Sequence, residues 1–377
     1  MAELDHAHPV NAAVVREKGG QFLLEKVRLE APRPTEVLVR VVASGVCHTD
    51  MVVRNQDFTA PLPMILGHEG SGVVEAVGSD VTTISPGDHV VMTYMSCGLC
   101  DTCESGHPAH CEHMGPLNFG GGRLDGTSSA TDEHDHPVHD HFFGQSAFAE
   151  YALANERNVV RVPKDVPLEL LGPLGCGIQT GAGSVLNALK VRAGSSFVAF
   201  GTGAVGLAAI MAAKVAGATT VIAVDVNPAR LELASELGAT HTVNSREVDA
   251  TQTVREITGG GADFALEASG RPEVLRQAID SLGIFGTCGI VGATKEGTEV
   301  AFNVNEVMIP GRRIMGIVQG DVVAKTFIPV MIDLFKQGRF PFDRLVRFYD
   351  FADINQAIED SERGVTIKPI LRIQPVA

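Results

Sequence analysis

The stretch from Phe197 to Asp225 limits what this chain can fold into more than any other. A short apolar run, Phe197-Val198-Ala199-Phe200, enters the glycine turn Gly201-Thr202-Gly203-Ala204-Val205-Gly206. An Ala-rich helical run from Leu207 to Gly217 follows, and then a second apolar run, Val221 to Val224, that ends in Asp225. In this order of strand, turn, helix and strand, Gly201 permits the tight turn, Gly203 lets backbone approach a pyrophosphate and Gly206 lets the helix pack closely on the strand. The helix beginning near Val205 offers unpaired N–H groups and a positive dipole end to phosphates. Asp225 stands near the expected spacing of about 20 residues and can accept both ribose hydroxyl protons. The pattern reads as a dinucleotide site rather than a purely structural turn.

The rest of the chain extends this pattern on one side only. Strands are expected near Val198, Val221, Thr240–Asn244, Phe264–Ala268, Thr287–Val291 and Arg313–Val318, and helices near Val205–Val215, Ala229–Leu237, Ala250–Ile257 and Pro272–Leu282. Six strands with helical crossovers make an α/β, doubly wound parallel sheet. Upstream, Asn11–Arg16, Leu23–Leu29 and Glu36–Ala43 are apolar-alternating runs broken by glycine and proline, a β-rich opening unlike a doubly wound domain. After about residue 320 come a helix, Val323–Gln337, and a final strand, Lys368–Ile373, expected to return to the first domain. At 377 residues, 45% hydrophobic and 20% charged, the chain fits a two-domain globular enzyme. No apolar run reaches the roughly 18 residues of a membrane span. Residues Met1–Val10 lack the basic flank and apolar core of a signal peptide, so a cytoplasmic location is expected. A formal net charge of −15 argues against nucleic acid and anionic membrane as partners.

Cysteines fall at 47, 97, 100, 103, 111, 176 and 288. Without an export signal, the crowding of Cys97-x2-Cys100-x2-Cys103-x7-Cys111 points to metal rather than to disulfides. Four thiolates at this spacing can close a tetrahedron around zinc, which makes a structural site. An iron–sulfur cluster is the alternative, but the x7 gap and the missing proline after Cys111 disagree with it. The first β-rich segment ends at Cys47-His48-Thr49-Asp50. Cys47 is a soft ligand suited to zinc, Thr49 supplies a hydroxyl, and Asp50 a carboxylate able to orient a metal-bound imidazole. Taken alone, the segment also fits a buried cysteine at a strand end. Gly67-His68-Glu69-Gly70 follows in a Gly-rich turn, which alone also fits a bend with a core histidine. With Cys176 they give a Cys, His, Cys set, and three protein ligands with a fourth position open is the catalytic zinc pattern. Cys288, on an apolar strand, reads as core packing. Residues 115–142 are Gly- and Asp-rich, with His134, His136, His139 and His141 among Asp132, Glu133, Asp135 and Asp140, and read as a solvated surface loop in preference to an extra metal site. Phe142–Tyr151 reads as a return to strand, Pro163–Cys176 as holding a short helix, and Gln179–Ala188 as a helix.

The combination of Cys47-His48-Thr49-Asp50, Gly67-His68-Glu69, the four-cysteine lobe, Gly175-Cys176-Gly177 and Gly201–Gly206 resembles the zinc-dependent medium-chain alcohol dehydrogenases over nearly the whole chain. Asn118-Phe119-Gly120-Gly121 and His141-Phe142-Phe143-Gly144-Gln145-Ser146 are similar to the aryl-alcohol (benzyl alcohol) dehydrogenase branch. The resemblance implies a GroES-like, β-rich catalytic domain built from residues 1–178 and 319–377, with a structural zinc lobe at 96–112, and a Rossmann domain at 179–318. It implies two zincs per chain: one held by Cys47, His68 and Cys176, with Glu69 and Asp50 as near neighbours, and one held by Cys97, Cys100, Cys103 and Cys111. It further implies Thr49 on the substrate hydroxyl, Thr180 and the backbone from Val291 to Ala293 against the nicotinamide, Asp225 and Arg230 beside the adenosine ribose, and Lys368 near the pyrophosphate. NAD is the expected cofactor, because Asp225 would repel a 2′-phosphate and Val226-Asn227 brings no cation into its place. The implied reaction is reversible oxidation of primary aromatic or allylic alcohols, with polyol or general aliphatic alcohols as the alternative on the same fold. A metallohydrolase would leave the dinucleotide turn without purpose. A non-enzymatic zinc-binding protein on this fold would be expected to lose Cys47, His68 or Thr49. Two positions depart from the family: Val52 stands where a histidine is usual, and His48 where arginine often follows the zinc cysteine. Val52 cannot carry a proton, so His48, read as part of an extended segment, is the candidate end of a proton relay. The apolar strand pair near Val300–Val318 is where the family joins its Rossmann sheets, which implies a homodimer or homotetramer.

Overall fold

Runs such as Phe197–Phe200 and Val221–Val224 are apolar at every position, a pattern that a strand buries only when both faces are covered. The computed structural model, which describes residues 8–376, covers them that way. The chain forms two compact units: one takes the residues up to Cys176, Val323–Pro329 and the stretch from Asp343 on, and the other takes Gly177–Val322 and Val330–Phe342.

The second unit holds six parallel strands: Ser196–Phe200 (β1), Thr220–Asp225 (β2), His241–Asn244 (β3), Ala262–Glu267 (β4), Leu282–Ile290 (β5) and Arg313–Gly316 (β6). Their order is β3-β2-β1-β4-β5-β6, as expected of a doubly wound sheet. Helices Ala204–Ala216, Pro228–Leu237, Ala250–Thr258 and Pro272–Asp280 connect them. Their starts are set locally: Asn227 accepts from the Ala229 N–H and Asp249 from the Gln252 N–H, which satisfies donors that a helix leaves free. Val198, Phe200, Ile222, Val224, Val243, Val254 and Cys288 share the core, so Cys288 is packing, as its sequence context predicts. The order reverses between β1 and β4, and in such sheets ligands bind outside the carboxyl ends at that point.

In the first unit the long strand Glu36–Gly45 is the hub. It pairs antiparallel with Gly70–Val77, Tyr151–Asn155 and the terminal strand Lys368–Arg372, which returns to this unit as expected. A second sheet joins His8–Val15, Leu23–Leu29, Met64–Ile65, Ala130–Thr131 and Pro137–Val138. Val37, Val39 and Val41 alternate into a core with Val74, Val90 and Met92.

Three local expectations change. Cys47 caps a helix, His48–Arg54, so His48 and Thr49 open a helical turn instead of lying on an extended segment; Asp50 closes the cap by accepting the Cys47 N–H at 2.9 Å. Strand begins only at Tyr151, because His141, Phe143, Gly144 and Ser146 all take positive φ and coil the chain into a tight turn. The segment before Cys176 forms two 3-10 turns, Leu168–Leu170 and Gly172–Gly175, and the helix after it, Gly177–Gly183, passes into a π turn at Ser184–Ala188.

Candidate functional site

Glycine turns and strand ends bring the ligand-type side chains together. Cys47 stands at the cap of helix His48–Arg54, His68 and Glu69 in the bend before Gly70–Val77, and Cys176 at the end of the second 3-10 turn. One ligand atom from each of Cys47, His68, Glu69 and Cys176 lies within 4.8 Å of the others. His68 is fully buried; its Nδ1 bonds Asp50 Oδ1 at 2.8 Å, and its buried Nε2 has no hydrogen-bond partner. An orphaned imidazole nitrogen among two thiols fits a zinc ligand whose second nitrogen is held by a carboxylate. Asp50 also accepts the Gly67 N–H at 3.1 Å, so one buried carboxylate ties both ligand segments.

The charges agree with this. Burial alone would lower the His68 pKa, but Asp50 and the Cys47 thiolate outweigh it and raise the metal-free ring to about 10. The Cys176 hydrogen bond, with the charges of His68 and Lys368, holds the Cys47 thiol well below its usual value against burial. Burial pushes Glu69 up to about 7 against the pull of Lys368. Lys368 is 2% exposed; its Nζ donates to Glu69 Oε1 at 2.9 Å, Glu69 Oε2 at 2.8 Å and the Val46 carbonyl at 3.0 Å. Within the protein Lys368 is thus bonded to Glu69, a member of the ligand group, and to the backbone beside Cys47, contacts the resemblance does not name. Thr49 Oγ1 is 3.9 Å from Cys47 Sγ, half-buried, while His48 is exposed and Val52 buried.

A wall of rings stands beside the metal group. Phe143 stacks on the His68 ring at 4.5 Å and 23°, and Phe142 meets it edge-on at 5.2 Å. Phe119 meets both phenylalanines edge-on, and Phe58 meets Phe119. Phe58 carries no sequence signal for this role, whereas Phe119, Phe142 and Phe143 lie in the two motifs that mark the aryl-alcohol branch.

Cys97, Cys100, Cys103 and Cys111 bring all four sulfurs within 4.8 Å of one another. The Cys97–Cys103 and Cys100–Cys111 sulfurs are 4.0 and 3.9 Å apart, about twice a disulfide bond. Leu99 and Cys100 N–H groups donate to Cys97 Sγ, and Cys97 and His113 N–H groups to Cys111 Sγ, each at 3.4 Å. Backbone donors of this kind favour thiolates and suit a closed zinc site.

The His-rich segment is only half a solvated loop. His134 and His136 are exposed, but Asp132 and Asp140 are buried, and His141 is enclosed with its Nδ1 bonded to Asp140 at 2.7 Å and its Nε2 3.6 Å from Glu36.

In the second unit Gly201 has φ +91°, and a Cβ on Gly206 would lie 1.9 Å from the Gly201 carbonyl oxygen, so both positions demand glycine. A Cβ on Gly203 would meet nothing, which leaves its backbone open to a ligand. A cavity of about 330 Å³ is lined by Gly201, Gly203, Asp225, Arg230, Ser269 and Arg271 among others. Arg230 Nε is buried there without a hydrogen-bond partner. Asp225 has an internal task that spacing does not announce: it accepts Thr202 N–H at 2.6 Å and Thr202 Oγ1 at 2.7 Å, and the Val226 and Asn227 N–H groups at 2.7 and 2.9 Å. Val205 lies in the first turn of the helix Ala204–Ala216, Thr180 is buried on Gly177–Gly183, and Val291 follows β5 with its N–H on the Glu267 carbonyl at 3.0 Å.

Comparison with known proteins agrees with this construction. Residues 33–164 match the alcohol dehydrogenase GroES-like domain, and residues 204–337 the zinc-binding dehydrogenase domain. The chain is 46% identical to a geraniol dehydrogenase of Castellaniella defragrans, over 96% of each chain. It is 52% identical to the crystal structure of benzyl alcohol dehydrogenase from Acinetobacter calcoaceticus, with a TM-score of 0.95 over 97% of this chain and 100% of that one. An alcohol dehydrogenase zinc-binding domain protein from Burkholderia ambifaria is 59% identical, with a TM-score of 0.96 over 98% of this chain and 100% of that one. With a donor set suited to zinc, a glycine turn suited to a nicotinamide dinucleotide, and this kinship along its length, the chain belongs to the zinc-dependent medium-chain alcohol dehydrogenases, on the aryl-alcohol side of the family.

Proposed function

We propose that this protein oxidises primary aromatic or allylic alcohols to aldehydes, reversibly, passing the hydride to NAD. The observation that carries the reading is the ring wall: Phe58, Phe119, Phe142 and Phe143 join edge and face beside His68. Phe142 and Phe143 are buried and Phe58 and Phe119 half-buried, so the latter two are the rings able to meet a planar, polarisable substrate, and aromatic pairs gain about 0.5–1.5 kcal/mol beyond burial. The relatives named for geraniol and benzyl alcohol support the same class. Polyols would set hydroxyl groups against these rings without hydrogen-bond partners, at a cost in binding.

Zinc, when bound by Cys47, His68 and Cys176, supplies a Lewis acid that lowers the pKa of the alcohol. The chain does the rest. Asp50 fixes the His68 ring through Nδ1 so that Nε2 faces the ligand group. The Thr49 hydroxyl, beside Cys47, takes the alcohol proton as it gives up its own, and exposed His48 ends the relay by way of ribose hydroxyls or water, since buried Val52 cannot. The buried rings of Phe142 and Phe143, packed on His68, would keep water from that side of the metal ligands. In the dinucleotide turn Gly203 admits the pyrophosphate, and the negative charge of Asp225 favours a free ribose over a 2′-phosphate, against the opposite pull of the neighbouring Arg230. Cys97, Cys100, Cys103 and Cys111 hold a second, structural zinc, and thiols of this kind persist in a reducing cytoplasm. Among the described residues no helix is long and apolar enough to cross a membrane.

The test is steady-state kinetics on benzyl, allylic terpene and short aliphatic alcohols with NAD and NADP. The highest kcat/KM is expected on benzyl or allylic alcohol with NAD; faster turnover of ethanol or sorbitol, or equal use of NADP, would remove the reading.

A further inference from the structure

The three zinc-type ligands come from separate segments, and the ligands themselves do not set the distance between those segments. Gln145 does. Its side chain is 1% exposed and makes three hydrogen bonds. Nε2 donates to the His68 carbonyl at 3.0 Å and to the Thr93 carbonyl at 3.2 Å, and Oε1 accepts the Gly70 N–H at 3.1 Å. The amide thus grips the backbone on both sides of Glu69. Thr93 in turn donates its Oγ1 to the Gly175 carbonyl at 2.7 Å, and Gly175 precedes Cys176. A protein-only path therefore runs from His68 through Gln145 and Thr93 to Cys176. Asn158 locks its midpoint, donating Nδ2 to the Thr93 carbonyl at 3.1 Å and to the Phe143 and Gly144 carbonyls at 3.2 and 3.0 Å. The left-handed residues on either side, Phe143 at φ 52° and Ser146 at φ 53°, turn the chain at Gln145. Backbone of that kind persists only where its surroundings over-determine it, and it gathers at functional sites.

We propose that Gln145 is a positioning residue for the catalytic metal, presetting the separation of the His68 and Cys176 ligand segments before an ion binds. This rests on the reading of Cys47, His68 and Cys176 as a zinc site. The position demands an amide, since two carbonyls need donors and one N–H needs an acceptor. Gln145→Glu faces a carboxylate toward two carbonyls, and Gln145→Met keeps the volume but offers no polar partner. Thr93→Val breaks the link to Gly175 with little change of shape. The four-cysteine site draws its ligands from one short segment and serves as an internal control.

The experiment measures zinc release from the purified holoenzyme to a chromophoric chelator. Wild-type protein is expected to lose two equivalents in two phases, and Cys47→Ser, which lacks one, identifies the catalytic phase. Q145E and Q145M should speed that phase about ten- to hundredfold, the range for partners that orient metal ligands, and leave the other unchanged. T93V should move it the same way by less. Cobalt substituted at this site should show a shifted visible spectrum in Q145M. Should Q145E not fold, Q145M and T93V decide. A catalytic phase unaltered in both overturns the proposal, as does equal acceleration of both phases, which marks general loosening. A wild-type protein carrying only the four-cysteine zinc overturns the underlying reading of the Cys47 centre, and the proposal with it.

Discussion

Asp50 takes the Cys47 N–H with one oxygen and the His68 Nδ1 proton with the other, so a single buried carboxylate aims two ligands. Asp50→Ala should therefore lower catalytic-site zinc affinity about 10–100-fold, measured by competition with a chelator; unchanged affinity would show that packing of Phe142 and Phe143 suffices to hold the ring. Replacing Cys47 or Cys176 with serine should end turnover in a protein whose circular dichroism is unchanged. Replacing Cys100 or Cys111 should instead lower Tm and remove one zinc. Loss of fold in the first pair, or of turnover without loss of stability in the second, would reverse the roles of the two centres. His48→Gln keeps a donor but removes a base. Alcohol oxidation should slow, and added imidazole should partly restore it, whereas a raised KM for the cofactor without imidazole rescue would leave His48 only a phosphate contact. At this scale the candidate ligands that the fold brings together were legible, because thiols and a Gly-flanked histidine carry chemistry in their identity. Gln145 was not, since an amide's task depends on which carbonyls surround it. Lys368 was legible only in part: its charge was clear, but its buried partner Glu69 is 299 positions away.

The segment from Arg123 to Ser146 is fastened to the hub strand by charge. Arg123 donates Nε and Nη2 to Glu36 at 2.6 and 3.0 Å, the Arg33 N–H bonds Glu36 at 3.0 Å, and His141 joins Glu36 to Asp140. At 3.6 Å the His141–Glu36 contact is charge attraction beyond hydrogen-bond length. Burial would raise the Glu36 pKa, but His141 and Arg123 overcome it and bring it from 4.5 to about 2. Burial would lower that of His141, but Asp140 and Glu36 raise it from 6.5 to about 9. The signs then follow. The stability from Glu36 is complete above pH 4.5 and lost as pH falls through 2, and that from His141 is complete below pH 6.5 and lost as pH rises through 9. Glu36→Gln should cost about 3 kcal/mol at neutral pH and flatten the acid limb of Tm against pH, while His141→Asn should flatten the alkaline limb. Limbs unchanged in both variants would deny the cluster this role. In series the histidines and aspartates of this segment look hydrophilic, which is why the sequence predicts a solvated loop followed by strand. Only the pairing across to Glu36 shows that half of them are inside. Helices and strands of the doubly wound unit were more readable, since their periodicity is local and continuous.

At the scale of the molecule the β6 edge stands out. Ile284, Phe285, Val304, Met308 and Ile309 are each more than 60% exposed around the last strand of the sheet, and the Phe285 N–H donates to the Pro310 carbonyl at 2.8 Å. Apolar side chains beside an open strand edge invite a second copy of the sheet. Phe285→Glu or Ile309→Glu should reduce a dimer or tetramer to smaller species in light scattering; a wild-type monomer, or no change in either variant, would refute an interface there. The two-part architecture was visible in sequence because β-rich and alternating α/β patterns differ in period. The ring cluster was legible in part, since Phe119, Phe142 and Phe143 lie in two recognisable motifs, while Phe58 joins them only by folding. The most direct measurement is kcat/KM for benzyl, allylic and aliphatic alcohols, followed by the near-ultraviolet absorbance of the reduced nicotinamide, on zinc-loaded protein with NAD and NADP. The account predicts that an aromatic or allylic primary alcohol with NAD is the best pair and that removal of zinc abolishes it. Preference for ethanol or sorbitol, parity with NADP, or full turnover without zinc would contradict it.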